Sequence, residues 1–137
     1  MQSNNIRELA MKTQLEHINI SVPNARATAA FLSDLFGWHI RWEGPAIADG
    51  YSIHVGSDDT YLALYTPSHE MKDGVPRYRH WGGLNHIGLV VEDLEAVENS
   101  VRAAGYTPHS HADYEPGRRF YFDGPDGVEY EIVSYDA

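Results

Sequence analysis

Apolar and polar residues alternate in two short stretches of the chain, LEHINISV at 15–22 and LNHIGLVV at 84–91. Alternation with a period of two, rich in β-branched residues, is typical of a β-strand with one buried face. His17 and His86 hold the same place in the two stretches. The repeat predicts that the chain contains two copies of one folding unit.

A helix is predicted after each of these strands. Asn24 and Asp93 are candidate N-caps, and Gly37 and Gly105 are candidate helix ends. Apolar residues recur at helical spacing in the first segment at Ala27, Ala30, Phe31 and Leu35. They recur in the second at Leu94, Val97, Val101 and Ala104. Cap, spacing and terminal glycine agree in both copies, which makes a chance repeat improbable.

Three strand-like runs follow each helix, which completes a βαβββ unit in both halves. The predicted strands are 38–43, 51–56 and 60–66, and then 107–111, 118–123 and 128–135. The pattern predicts an α+β fold with two βαβββ modules in tandem, in which curved mixed sheets enclose a concave cavity for a metal and a substrate. We expect one domain over 14–137: module one at 14–66, a connection at 67–83 and module two at 84–137. Residues 1–13 are expected to be an N-terminal tail.

Composition narrows the choice of partners and compartment. The 137 residues, 42% of them hydrophobic, are enough for one folded domain. The formal net charge of -10 repels phosphate backbones and anionic lipid surfaces, so neither nucleic acid nor a membrane is an expected partner. Cysteine is absent, and no signal leader or membrane-length apolar run is present. A cytoplasmic protein is therefore expected.

The two histidines are predicted to share one side of the sheets. In each first strand the branched aliphatic residues lie on the face opposite to the histidine, and that aliphatic face should meet the helices. Glu131 shares the histidine side if Ile132 faces a helix. In module one, Ala63 stands where Glu131 stands in module two, so only one carboxylate is available.

Two imidazoles and one carboxylate, from His17, His86 and Glu131, are a typical donor set for a catalytic metal that keeps positions open. This set suits Fe(II), Mn(II), Zn(II), Co(II) and Ni(II) and does not choose among them. The alternative is that these are hydrogen-bonded structural histidines in a chain with eight of them.

Four motifs together resemble the vicinal oxygen chelate superfamily, which includes glyoxalase I, extradiol dioxygenases, fosfomycin-modifying enzymes and bleomycin-binding proteins. The motifs are LEHINISV, FLSDLFGW, LNHIGLVV and FYFDGPDGVEYEIV. The resemblance covers nearly everything after the tail. It implies that the metal ligands are His17, His86 and Glu131, and that Tyr121 lies beside the substrate. Because both intrachain and shared sites occur in this superfamily, it also implies that a homodimer is a reasonable expectation.

No subfamily fits without an exception. Glyoxalase I commonly uses a further carboxylate from the first half, which Ala63 cannot supply. The usual extradiol dioxygenase is about twice as long as this chain, and only His111 approximates the histidine that it carries ahead of the Phe-Tyr pair. Fosfomycin enzymes usually continue beyond the last strand with basic substrate contacts.

Several other residues are candidates for acid, base or substrate contacts. Tyr121 is the favoured catalytic group over His54, His111 and Glu129, because aligning Gly56 with Gly124 makes His54 face away from Tyr121. His54 and His111 remain candidate substrate contacts. Trp81, in the connection, suits a closing loop or a plain crossover. Arg119 has the same strand parity as Tyr121 and suits either an anionic substrate group or a solvated surface position.

The sequence thus predicts a divalent-metal enzyme that chelates a small oxygenated substrate, with glyoxalase-like lyase or isomerase chemistry or extradiol dioxygenase-like chemistry. One alternative is a non-catalytic module that sequesters a small molecule, as the bleomycin-binding members do. A third is a metal-binding protein that senses or carries a ligand.

Overall fold

A computed structural model of the chain describes residues 13–114 and 117–135; of the predicted tail at 1–13, residues 1–12 lie outside this range. The elements of the first half are β1 (His17–Ser21), α1 (Ala25–Phe36), β2 (His39–Pro45), a 3-10 turn (Ile47–Asp49), β3 (Tyr51–Gly56) and β4 (Tyr61–Thr66). Those of the second half are β5 (Ile87–Val90), α2 (Leu94–Ala103), β6 (His109–Tyr114), β7 (Gly117–Asp123) and β8 (Glu129–Ser134).

The strands form two four-stranded sheets with the same topology, in the orders β1-β4-β3-β2 and β5-β8-β7-β6. β1 runs parallel to β4, and β5 runs parallel to β8. All other neighbouring strands are antiparallel. The predicted α+β fold of two tandem βαβββ modules is therefore confirmed. β5 begins later than predicted, at Ile87.

The helices begin at the predicted caps. The Asn24 side chain accepts a hydrogen bond from the backbone N–H of Ala27 at 3.1 Å, and Asp93 caps α2 in the same way. Gly37 ends α1 with φ +71°, a left-handed conformation that a side chain would disfavour. In the described part of the chain, neither helix is long and apolar enough to cross a membrane.

The buried side of α1 differs in part from the predicted one, since Phe31 and Leu35 pack against the core as predicted. Ala27 and Ala30 are exposed, and the residues that pack inward are Ala25, Thr28, Ala29 and Leu32. The polar side chain of Thr28 can be buried because its hydroxyl donates a hydrogen bond to a carboxylate oxygen of Asp126. A pattern of apolar residues does not count a threonine, so the predicted face left Thr28 out and included Ala27 and Ala30 instead.

One apolar core joins the helix sides of both sheets. The Phe31 ring of α1 lies 5.1 Å from Tyr106, 6.2 Å from Phe122 and 6.0 Å from Tyr130, all in the second half. We call the opposite side of each sheet its open face. Because the core lies on the helix sides, both open faces point away from it.

Candidate metal and substrate site

The open face of the second sheet brings together two of the predicted metal ligands. Glu131 of β8 lies opposite Gly88 of β5, and His86 immediately precedes β5. The distance from His86 Nε2 to Glu131 Oε1 is 3.3 Å. Ile132 is fully buried in the core, as the predicted direction of Glu131 requires.

Tyr121 and Arg119 of β7 both contact the same carboxylate. Tyr121 pairs with Glu131 in register, and its hydroxyl donates to Oε2 at 3.0 Å. The Arg119 guanidinium donates to that oxygen at 2.9 Å, and the arginine side chain is only 11% exposed. Arg119 is therefore not a solvated surface residue. Burial, together with the hydrogen bond to Glu131, raises the pKa of Tyr121, so its hydroxyl remains a donor at neutral pH.

His17 lies on the open face of the first sheet. Its Nδ1 is 2.9 Å from Glu16 Oε1, and its ring stacks on Tyr61 with centroids 4.9 Å apart. Ala63 lies opposite the strand residue two positions after His17, just as Glu131 lies opposite the residue two positions after His86. The predicted correspondence of Ala63 with Glu131 holds, and the first module has no carboxylate there.

Within one chain, His17 does not form a set of metal-type ligands with His86 and Glu131. In residues 13–114 and 117–135, one set of three metal-type side chains has ligand atoms within 4.8 Å of one another, and it consists of His109, Asp123 and Glu129. The Arg77 guanidinium lies 3.1 Å from Asp123 and already supplies positive charge to that set.

His54 occupies the position equivalent to Tyr121, contrary to the predicted alignment. His54 pairs with Ala63, and Tyr121 pairs with Glu131. Since Ala63 and Glu131 are counterparts, His54 lies on the open face of its own sheet. Aligning the two glycines shifted the comparison by one residue, which reverses the face in a strand.

The His54 ring belongs to a row of aromatic rings on the first sheet. It stacks on Tyr61 at 4.7 Å and lies 5.0 Å from Trp42, which is half exposed. Burial lowers the pKa of His54, and the charges of His17 and Arg41 act in the same direction. The imidazole is therefore neutral at pH 7.

The structure places His111 on the helix side of the second sheet, away from the open face. Its Nε2 is 3.0 Å from Glu98 of α2, and its ring stacks on the buried Phe120. A bulge in β6, where Ser110 has φ +57°, changes the direction of the side chains. His109 lies on the open face instead, stacked on Tyr121 at 6.3 Å.

Two residues of this face were not predicted as a pair. Tyr78, from the connection, donates its hydroxyl to Glu129 Oε1 at 2.6 Å and lies 3.0 Å from His86 Nδ1. Glu129 lies two residues before Glu131 in the strand, and this spacing could have predicted that both share one face. Tyr78 lies in a loop, where no periodicity predicts the direction of a side chain. The Trp81 side chain is fully exposed, and its role in substrate binding stays a prediction.

The geometry of His86 and Glu131 fits a divalent cation. Imidazole nitrogens and carboxylate oxygens bind such ions at about 2.0–2.2 Å. Two ligand atoms 3.3 Å apart can both meet one ion at that distance, with an angle near the tetrahedral or octahedral value. Arg119 and Tyr121 contact Oε2 and leave Oε1 facing His86.

Comparison with known families decides the relationship. The model of the Glyoxalase/Bleomycin resistance protein/Dioxygenase superfamily matches residues 14–132. The chain belongs to this superfamily. No curated protein sequence matches it.

Several solved structures have the same fold. A glyoxalase/bleomycin resistance protein/dioxygenase domain from Frankia sp. EAN1pec has a TM-score of 0.76 at 17% identity, with coverage of 89% of this chain and 97% of that one. A variant of the fosfomycin resistance protein FosX from Listeria monocytogenes, complexed with Mn(II) and 1S,2S-dihydroxypropylphosphonic acid, has 0.69 at 16%, covering 91% and 94%. TnmS3, an antibiotic binding protein from Streptomyces sp. CB03234, has 0.67 at 16%, covering 89% and 95%. At these identities the likeness establishes the fold alone.

Proposed function

We propose that this protein is a divalent-metal-dependent enzyme of its superfamily that acts on a small oxygenated molecule with two neighbouring oxygens. The observation that carries the proposal is the 3.3 Å approach of His86 Nε2 to Glu131 Oε1 on an open sheet face. The complex of FosX with Mn(II) and a dihydroxy phosphonate is a precedent for such chemistry on this fold.

The third ligand in this proposal is His17 of a second copy of the chain. The shared core lies on the helix sides of both sheets, so the open face that carries His17 points away from the core, as does the one that carries His86. An isologous dimer that pairs the first sheet of one copy with the second sheet of the other generates two identical sites. The exposed side chain of His17 is accessible for this role.

The other side chains have distinct roles in this arrangement. A bound divalent cation would act as a Lewis acid toward the two substrate oxygens. Tyr121, whose hydroxyl donates to Glu131 in the free chain, would turn that donor to an oxyanion of the substrate beside the cation. Arg119 holds Glu131 in position. His54, neutral at pH 7, would enter the site from the second copy as a hydrogen-bond acceptor.

Metal content tests the ligand assignment. Protein purified without chelators is analysed for bound metal as the wild type, His86→Ala and Glu131→Ala, with His69→Ala as a matched control. His69 is an exposed histidine of the connection and belongs to neither sheet. We expect near-stoichiometric metal in the wild type and control and little in the other two; equal metal in all four proteins would refute the proposal.

A mixed dimer tests whether the site is shared. His17→Ala and Glu131→Ala chains are co-expressed with different tags, and the hetero-assembly is isolated. In a shared arrangement one of its two sites carries both defects and the other is intact, so half of the wild-type metal should return. If each site lies within one chain, the mixed assembly stays as empty as its parents.

A second candidate is a metal-free module that sequesters a small aromatic ligand. The Arg119 guanidinium already neutralises Glu131, and the first sheet exposes the ring of Trp42 beside His54 and Tyr61. TnmS3 is a precedent for antibiotic binding on this fold. This function would be favoured if the protein bound no metal and a ligand quenched its total tryptophan fluorescence. The quenching should disappear in Trp42→Ala.

A further inference from the structure

The three groups His86, Tyr78 and Glu129 form a chain of hydrogen bonds on the side of His86 away from Glu131. The Tyr78 hydroxyl lies 2.6 Å from Glu129 Oε1 and 3.0 Å from His86 Nδ1. His86 thus stands between two carboxylates, with Nδ1 directed toward Glu129 at 3.8 Å and Nε2 toward Glu131 at 3.3 Å.

We infer that Tyr78 and Glu129 are positioning residues that hold the His86 imidazole in its Nδ1–H tautomer, with the Nε2 lone pair directed to the cation beside Glu131. The inference rests on the proposed function only for the presence of the cation. The tautomer itself is a property of the metal-free chain.

The tyrosine hydroxyl has a single proton, which determines the donor and the acceptor in both hydrogen bonds. Tyr78 can donate to only one of its two neighbours, and the shorter contact is the one to the carboxylate, the stronger acceptor. Its oxygen must then accept from His86, so the hydrogen of the neutral ring lies on Nδ1. A metal-binding histidine usually donates its other N–H to a partner of this kind.

Local contacts keep Tyr78 in place although it belongs to the connection. Its backbone has φ +65°, and its N–H donates to the Asn85 side chain at 2.7 Å. The preceding Arg77 contacts Asp123 and donates to the carbonyl of Gly127, both at 3.1 Å. The Glu129 side chain is only 11% exposed, so water competes poorly for it. These contacts anchor the backbone at the tyrosine, while the residue as a whole is 60% exposed.

The inference is tested by ¹⁵N NMR of the histidine rings in metal-free protein, recorded over a range of pH to isolate the neutral ring of His86. The wild type should show Nδ1 protonated and Nε2 unprotonated. In Tyr78→Phe the ring loses its partner and should shift toward the Nε2–H form, which Glu131 Oε1 can accept. In Glu129→Gln the amide oxygen is a weaker acceptor than the carboxylate, so the tyrosine proton can turn to Nδ1, with the same result.

The matched control is Tyr51→Phe. Tyr51 donates to Glu43 at the same 2.6 Å but lies in the first module, away from His86, so the tautomer should not change. With Mn(II) as the probe, we expect binding to weaken about 10–100-fold in Tyr78→Phe and Glu129→Gln, but not in the control.

The possible outcomes separate the two proposals. An Nε2–H ring in the wild type, or an unchanged Nδ1–H ring in both Tyr78→Phe and Glu129→Gln, overturns the inference. If the tautomer behaves as expected and the wild type binds no metal, the positioning chain stands and the proposed metal function fails.

Discussion

The guanidinium of Arg119 lies 2.9 Å from Glu131 Oε2, and the two side chains are only 11% and 13% exposed. Removing the arginine leaves a largely buried carboxylate without its cation. We expect Arg119→Met to lower the free energy of unfolding in the presence of chelator. Part of the loss should return with Mn(II), because the cation can then contact both oxygens of Glu131. Urea unfolding with and without Mn(II) measures both effects.

The control for this prediction is the pair of Arg26 and Glu43, which has the same 2.9 Å separation but is much more exposed. Arg26→Met should cost less and should not respond to Mn(II). Equal losses, or a stabilisation by Mn(II) that is the same in both variants, would contradict the role given to Arg119.

Alkaline pH should weaken the fold through Tyr78. The hydrogen bond to Glu129 and burial raise the pKa of Tyr78 to about 12, from 10.0 in the unfolded chain. A raised folded-state pKa gives stability that is complete below pH 10 and is lost as pH rises toward 12. Wild-type stability should therefore fall more steeply over this interval than that of Tyr78→Phe. Parallel curves from denaturant unfolding would show that this hydroxyl does not contribute.

Acidic pH should act through His54. Burial and the neighbouring charge of His17 lower its pKa below 6.5, so the unfolded state binds the proton more readily. The stability that this provides is present above pH 6.5 and is lost as pH falls through the folded-state pKa. His54→Phe keeps an aromatic ring but cannot ionise. It should lose less stability than the wild type between pH 7 and 5, whereas the exposed control His69→Phe should follow the wild type.

The hydroxyl of Thr28 links the two halves through Asp126. Thr28→Val has nearly the same shape and removes this donor, so we expect a loss of about 1–2 kcal/mol in the free energy of unfolding. Chemical denaturation measures the loss. A single transition in both proteins would show that the halves still unfold together, and a gain in stability would contradict the stabilising role of the bond.

The strands and helices could be predicted because local rules determine them. Alternation placed His17 and His86 on the correct side of their strands, and Asn24 and Gly37 marked the ends of α1. Glu131 followed from the burial of its neighbour. These features depend on residues close together in the sequence.

The remaining errors have a common physical origin in contacts that sequence periodicity does not encode. Because of a bulge in β6, His109 lies on the open face in place of the predicted His111. A register shift of one residue placed His54 on the wrong face, since the side-chain period of a strand is two. Tyr78 reaches His86 from an irregular segment, where no repeat predicts the direction of a side chain.

The ring of Phe31 packs among three aromatic rings of the other half, so each half covers the apolar interior of the other. Neither half can swing away without exposing that interior to water. A small molecule that reaches His86 and Glu131 therefore approaches from the open face of the second sheet and not through that interior.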